Sequence, residues 1–116
     1  MDSILNSVKK AIGPSESDTY FDDTLIMHIN SVFMILDQLG FNKPGFRITG
    51  ANETWSGYLE DNATLEMVKS YMYMKVKMLF DPPSSGTLKE ALAEQIEEFE
   101  WRLNVAVDTE PIGGDD

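Results

Sequence analysis

The side chains that could perform acid–base or nucleophilic chemistry are few in this sequence and poorly placed for it. There is one histidine, His28, and there is no cysteine. His28 lies within a predicted helix, and no carboxylate or nucleophile stands at a spacing typical of catalysis. We therefore predict that His28 is a surface or hydrogen-bonded core residue. The absence of cysteine excludes disulfides and thiolate metal sites.

Carboxylates are abundant, but their pattern matches no known kind of metal site. Histidine or an Asp-x-Asp loop normally accompanies carboxylate ligands, and neither occurs beside the crowded acids of the last predicted helix. These acids, which we interpret as a solvated face, are Glu94, Glu97, Glu98 and Glu100. Gly45, Gly50 and Gly57 are too scattered to form a phosphate-binding loop. The sequence predicts no enzyme, no cofactor and no metal.

Length and charge restrict the possible functions further. A chain of 116 residues fits one domain that buries roughly two-thirds of its unfolded surface. The net charge of −11 argues against nonspecific nucleic-acid binding, which needs clustered cations. It is compatible with a cationic partner, with a surface that repels DNA, or with a simple solvated surface. No secretory signal or membrane span is evident, so we expect an intracellular protein.

The longest apolar-periodic segment, residues 64–80, predicts the helix around which the domain is built. Its apolar side chains cover an arc of roughly 200°, about twice the minimum for a surface helix. One stripe, expected to face the core of the chain, comprises Leu65, Val68, Met72, Val76 and Leu79. A second stripe, expected to meet a loop or a neighbouring subunit, comprises Met67, Tyr71, Met74 and Met78.

Three further helices are predicted from periodicity and end signals. The first spans residues 3–12, and the second runs from Asp22 or Asp23, as its N-cap, to Gly40. Phe21 is expected to pack on Ile26 as a hydrophobic staple, and Phe41 to fold back onto Leu36. The last helix runs from a capping box of Thr87 and Glu90 to about residue 104. Its predicted core stripe is Leu88, Leu92, Ile96, Phe99 and Leu103.

Residues 42–61 have no helical period. The segment 46–49 could form a short strand, but a lone strand needs an irregular neighbour or a strand from another copy. Trp55 and Tyr58 either lie on one helical turn beneath the core or belong to a partner-facing loop. We predict an all-α fold: a small four-helix domain over residues 1–107 with this irregular middle loop, and a flexible acidic tail at 108–116.

Trp101 is the exception on the last helix. It falls among Glu90, Glu94 and Glu97, opposite the apolar stripe. A large aromatic residue on a polar face is typical of an interface anchor. Alternatively, the N-terminal segment or the tail covers it within one chain.

The order of these parts resembles the head–tail connector (adaptor) proteins of tailed bacteriophages and prophages. The similarity begins with a short helix that ends in V-K-K-x-I-G, followed by the segment F-D-D-T-L-I-M-H-I-N, which leads to Q-L-G. A Trp-containing loop comes next. The chain then continues with a Tyr- and Met-rich helix that ends in F-D-P-P, and with a Glu-rich last helix. It covers roughly residues 3–107. The resemblance implies a non-catalytic helical subunit of the virion that assembles as a ring beneath the portal, in the cytoplasm of a bacterial host.

The resemblance also implies partners. A dodecameric homo-oligomer would bind the portal and other head–tail joining or tail proteins, while DNA passes through without sequence-specific binding. The residues predicted to contact a subunit or the portal are Phe46, Arg47, Trp55, Tyr58, Met67, Tyr71, Met74, Met78 and Trp101. The alternative is an acidic regulator that mimics DNA on a basic protein. Mimicry needs carboxylates spaced like phosphates over an extended face, whereas much of the acid here lies in one helix and the tail.

Overall fold

The computed structural model describes residues 3–13, 18–40, 45–59 and 63–109. This part of the chain forms five α-helices and no strand, which confirms the all-α prediction. The helices are α1 (Ile4–Ile12), α2 (Asp22–Leu39), α3 (Trp55–Tyr58), α4 (Ala63–Phe80) and α5 (Gly86–Thr109). Helix α5 is longer than expected, and the rest of the predicted acidic tail lies outside the described residues.

Helix α4 is the centre of the domain, as its apolar arc predicts. It packs against α1, α2 and α5. Leu65, Val68, Met72 and Val76 of its first stripe are fully buried or nearly so. The prediction for Leu79 is wrong: its side chain is 46% exposed, because it lies in the last turn of α4, where the chain leaves the core.

Ser3 caps α1 by accepting a hydrogen bond from the Asn6 backbone N–H at 3.2 Å.

A buried charge pair links α1 to α2. The Lys9 side chain, 1% exposed, places Nζ 2.9 Å from Oδ1 of Asp22. This oxygen has no well-directed hydrogen bond, so the contact acts chiefly as charge pairing. Breaking such a buried pair on one side leaves an uncompensated charge.

The start of α2 differs from the prediction. Phe21, not an aspartate, occupies the N-cap position, and no side chain caps this end. The staple prediction is therefore wrong, since Asp22 is already helical and is committed to Lys9. The Phe21 ring instead meets the rings of Tyr20 and Phe80 edge-on, at centroid distances of 4.7 and 5.2 Å.

The predicted end of α2 is confirmed. Gly40 adopts φ 104°, a left-handed conformation that favours glycine, and its N–H reaches the carbonyls of Leu36 and Asp37. The proposed closure by Phe41 lies outside the described residues.

Helix α5 begins at Gly86, two residues earlier than its predicted capping box requires. The Ser85 hydroxyl accepts from the Leu88 backbone N–H at 3.4 Å, and Thr87 is already inside the helix. The capping-box prediction is thus wrong. Ile96 and Leu103 are buried as predicted, and Leu92 and Phe99 are half-buried. Leu88 is 61% exposed, because the first turn of α5 adjoins the exposed turn that follows α4.

In the middle segment, Ile48 is buried because a side chain of α2 takes the place of a neighbouring strand. The Asn30 amide of α2 accepts from the Ile48 N–H at 2.8 Å and donates to the Ile48 carbonyl at 3.0 Å. Both backbone groups of Ile48 are therefore satisfied, and its side chain is only 1% exposed. No strand forms at 46–49, because one amide side chain on α2 supplies the pairing that a neighbouring strand would otherwise supply.

The remainder of this segment is held to α1. The Ile4 N–H donates to the Glu53 carbonyl at 3.0 Å, and Ser3 and Thr54 form an isolated antiparallel bridge. Trp55 donates from Nε1 to the Ser7 hydroxyl at 2.8 Å. The prediction of one helical turn with its rings beneath the core is confirmed, since Trp55 and Tyr58 are 1% and 2% exposed.

The Glu53 carboxylate closes the turn that precedes α3. It accepts from the N–H and hydroxyl of Thr49 and from the Gly50 N–H. Desolvation is the largest single influence and raises the pKa of Glu53, but the hydrogen bonds together outweigh it, so the net pKa of the carboxyl is lowered. The ionised form is the one that holds the turn together.

Replacing Asn30 tests the importance of this pairing. Asn30→Ala would leave both backbone groups of Ile48 unsatisfied, so we expect a loss of about 2–4 kcal/mol in the free energy of unfolding. Urea denaturation measures the effect. The matched control is Ser31→Ala, an exposed neighbour on α2, which should stay within about 0.5 kcal/mol of the original protein. Equal stability of the two variants would show that the amide pairing contributes nothing.

Candidate assembly surfaces

The described residues contain no arrangement suited to catalysis or metal binding. No group of three or more histidines and carboxylates in this part of the chain could hold a metal ion. His28 is half-buried on α2, and Glu94 and Glu97 are exposed. Glu98 and Arg102, one helical turn apart on α5, form an exposed ion pair with a contact of 2.6 Å. None of the described helices has the length and apolar character needed to cross a bilayer.

One polar network lies between α4 and α5. The Tyr71 hydroxyl donates to Oε2 of Glu100 at 2.7 Å, and Nζ of Lys75 lies 3.6 Å from the same oxygen. Burial, with the hydrogen bond and charge of Glu100, raises the pKa of Tyr71 well above its usual range. The network satisfies a buried phenol and joins α4 to α5, which is a structural role.

Three of the nine residues predicted to contact a partner lie inside the protomer. Trp55, Tyr58 and Tyr71 are at most 2% exposed, so their side chains have no surface to offer a second chain. The predicted division of α4 is wrong for Tyr71, because its ring is buried within the protomer and its hydroxyl donates to the half-buried Glu100 of α5. Burial and the charge of Asp37 raise the pKa of Tyr58.

The other six predicted residues reach the surface to different degrees. Phe46, Met67, Met74 and Met78 are half-buried against the core. Arg47 is exposed, and Trp101 is 65% exposed on α5. The described residues of the chain leave Trp101 largely uncovered, and the tail named in the second alternative lies outside them. For these six residues, contact with a subunit or the portal stays a prediction.

Three further apolar residues that were not predicted to lie at an interface are also exposed. Met27 and Met34 on α2 are 59% and 61% exposed, and Tyr20 is 83% exposed. The two methionines are seven residues apart, so they lie on one face of α2, opposite the Leu25 and Leu36 side. The same wheel argument that singled out Trp101 would have identified them.

Open grooves lie beside some of these residues. The first, here called the α2 groove, has a volume of about 420 Å³. Its lining includes Met27, Ser31, Met34, Phe46 and Arg47, together with Asn30, Asp37 and Gly45. The α4–α5 groove, about 600 Å³, includes Leu88, Glu94 and Glu98. A third, the α1 groove of about 250 Å³, includes Ile12, Met74 and Lys77.

A helical domain with exposed apolar side chains agrees with the comparison to known families. The family model described as phage connector protein matches residues 4–110. The chain belongs to the phage connector protein family. No curated protein and no solved structure gives a significant match.

Membership establishes the general role of this connector protein. The family is structural rather than enzymatic, and its members are components of the virion that assemble with other phage proteins. The family membership that the sequence resemblance implied is thereby confirmed. The candidate sites are accordingly surfaces for assembly.

The Tyr71–Glu100 network predicts a specific pH dependence of stability. The ordinary tyrosine pKa is 10.0, and folding raises it. The unfolded chain therefore loses the proton first as the pH rises, so the stabilisation is present below pH 10 and declines above it. We expect Tyr71→Phe to lower the free energy of unfolding by about 1–2 kcal/mol at pH 8.

The deciding measurement is chemical denaturation of both proteins between pH 8 and pH 11. The difference in unfolding free energy between the original protein and Tyr71→Phe should narrow above pH 10. A difference that is zero at pH 8, or constant over the whole range, would contradict the proposed contribution of this hydrogen bond.

Proposed function

We propose that this connector protein is a ring subunit beneath the portal that joins the capsid to the tail and lines the path of the DNA. The observation that carries the proposal is the pair of exposed apolar faces on α2 and α5. Met27 and Met34 on one helix and Trp101 on the other are each more than half exposed. Large apolar side chains on otherwise polar helix faces are typical of interaction surfaces.

These faces support a head-to-tail arrangement of subunits. Helix α4 packs against both α2 and α5, and the exposed residues lie on the sides of α2 and α5 that face away from it. Each protomer therefore presents two different surfaces in different directions. Contacts between two unlike surfaces generate a closed ring when the rotation between copies closes, and an open filament when it does not.

The charge of the chain supports a passive channel for DNA. The net charge is −11, and several of its cations are engaged in ion pairs, including Lys9, Lys75 and Arg102. A channel with few available cations releases few counterions from DNA and so binds it weakly. DNA would pass such a surface without being held.

A DNA mimic is less well supported. Glu98 and Glu100 of α5 are partly neutralised by Arg102 and Lys75. The exposed carboxylates of the same helix are interrupted by Trp101. Such a face differs from the evenly spaced charges of a nucleic-acid backbone.

Electron microscopy of the purified protein, alone and mixed with the portal protein of the same phage, tests the proposal. We expect rings, dodecameric if they match a dodecameric portal, either in solution or only on the portal. The portal protein alone serves as the control for added density. A protein that stays monomeric and leaves the portal unchanged would refute the ring function.

Mixing the protein rings with linear DNA tests the passive-channel proposal separately from ring formation. We expect no retention of DNA by the rings at physiological salt. Tight, salt-sensitive DNA binding would contradict the passive channel while leaving the ring itself in place.

A further inference from the structure

We propose that Trp101 of one copy inserts into the α2 groove of the next copy, with Arg47 of the groove facing the carboxylates that flank the tryptophan. The inference rests on the proposed ring function and deepens it by naming the two surfaces in contact. Neither surface contributes its exposed side chains to the core of its own protomer.

Trp101 has the properties of an anchor. Its side chain is 65% exposed although it is the kind of residue that contributes most when buried at an interface. Glu97 lies one turn before it and is also exposed, so the indole projects from an acidic face.

The α2 groove has the properties of a receptor for an aromatic ring. Its floor is firm, because the ring of Phe46 packs on Phe33 and Tyr58 at centroid distances of 5.0 and 5.1 Å. Its walls include Met27 and Met34, whose flexible and polarisable side chains adapt to an aromatic partner. A rigid floor with adaptable walls accepts a planar group without a cost to the core.

The positive charge of Arg47 distinguishes the α2 groove from the other two grooves described above as a site for Trp101. Arg47 is exposed and has no ion pair within the described part of the chain. Its guanidinium suits both the face of an indole and a carboxylate such as Glu97. Asp37 also lines the groove, but one of its oxygens already accepts from the Gly45 N–H at 2.9 Å.

The remaining grooves fit the acidic face of α5 less well. The α4–α5 groove also includes Lys77, but this cation is paired with Asp81 at 3.1 Å. Of the two carboxylates in that groove, Glu98 is paired with Arg102, and Glu94 would repel an acidic face. The α1 groove is smaller, and its Lys77 is paired with Asp81 at 3.1 Å. The α2 groove therefore combines apolar walls with an available cation.

Substitutions on both surfaces test the contact, under the conditions in which the original protein assembles. Trp101→Ala should weaken association between subunits roughly thirtyfold or more, as for an interface anchor. Arg47→Glu should weaken it about tenfold at low salt, and Arg47→Glu with Glu97→Arg should recover most of that loss. Leu88→Ala, equally exposed on the same helix, is the matched control and should assemble normally.

Mixing two defective variants distinguishes unlike surfaces from like ones. Trp101→Ala retains the groove, whereas Met34→Glu retains the tryptophan and places a charge in the groove. Each alone should fail to form rings, and the mixture should form a dimer with one copy of each. A Met34→Glu protein that assembles like the original would overturn the use of this groove.

The absence of native cysteine makes crosslinking specific. A Ser31→Cys/Asn104→Cys protein places one thiol in the groove and one beside Trp101, and oxidation should yield a ladder of covalent oligomers. Ser70→Cys/Asn104→Cys, with its first thiol on the exposed side of α4, should yield none.

The outcomes separate this inference from the function on which it rests. If the original protein forms rings but Trp101→Ala does so equally and no 31–104 crosslink appears, the contact is wrong and the ring function stands. If the original protein assembles neither alone nor on the portal, the ring function fails and the inference fails with it. Circular dichroism of each variant confirms that loss of assembly is not loss of folding.

Discussion

The burial of Ile48 depends on a single side chain, and much of the domain depends on that burial. An extended segment has unpaired N–H and C=O groups, and burying them without partners costs several kcal/mol. The Asn30 amide supplies both partners from the middle of α2. This lets a helical protein bring a non-helical segment into its core without building a sheet.

The consequences reach across the domain. With Ile48 in place, Phe46 packs on Phe33 and Tyr58. The chain then turns at Glu53 and places Trp55 against Ser7 of α1. The middle segment thus fills space that a four-helix arrangement would leave open beside α4. The apolar excess of α4 is covered largely by the protein's own chain, with Leu79 as the exception, and the apolar helix residues that are more than half exposed lie on α2 and α5.

The surface residues are the better candidates for function, although one buried hydroxyl, that of Tyr58, has no hydrogen-bond partner among the described residues. Buried polar groups such as Lys9 and Tyr71 have partners within the protomer. Trp101, Met27 and Met34 have side chains that remain largely in water. A structural protein of a virion needs surfaces of this kind, since its subunits are held together by contacts rather than by chemistry. In the proposed ring, the exposed apolar side chains would meet protein, and the acidic surface of the channel would face DNA.

The sequence by itself determined the helices, the central position of α4 and the unusual placement of Trp101. Each follows from local periodicity and from the turn residues at helix ends, which act within a few residues. It did not determine which side chains of α4 meet another subunit, because Tyr71 is buried by Glu100, 29 positions away. It likewise missed the pairing of Asn30 with Ile48 and of Lys9 with Asp22. Those contacts join residues that only the packed chain brings together, and so only the tertiary structure decided where the core ends and the assembly surfaces begin.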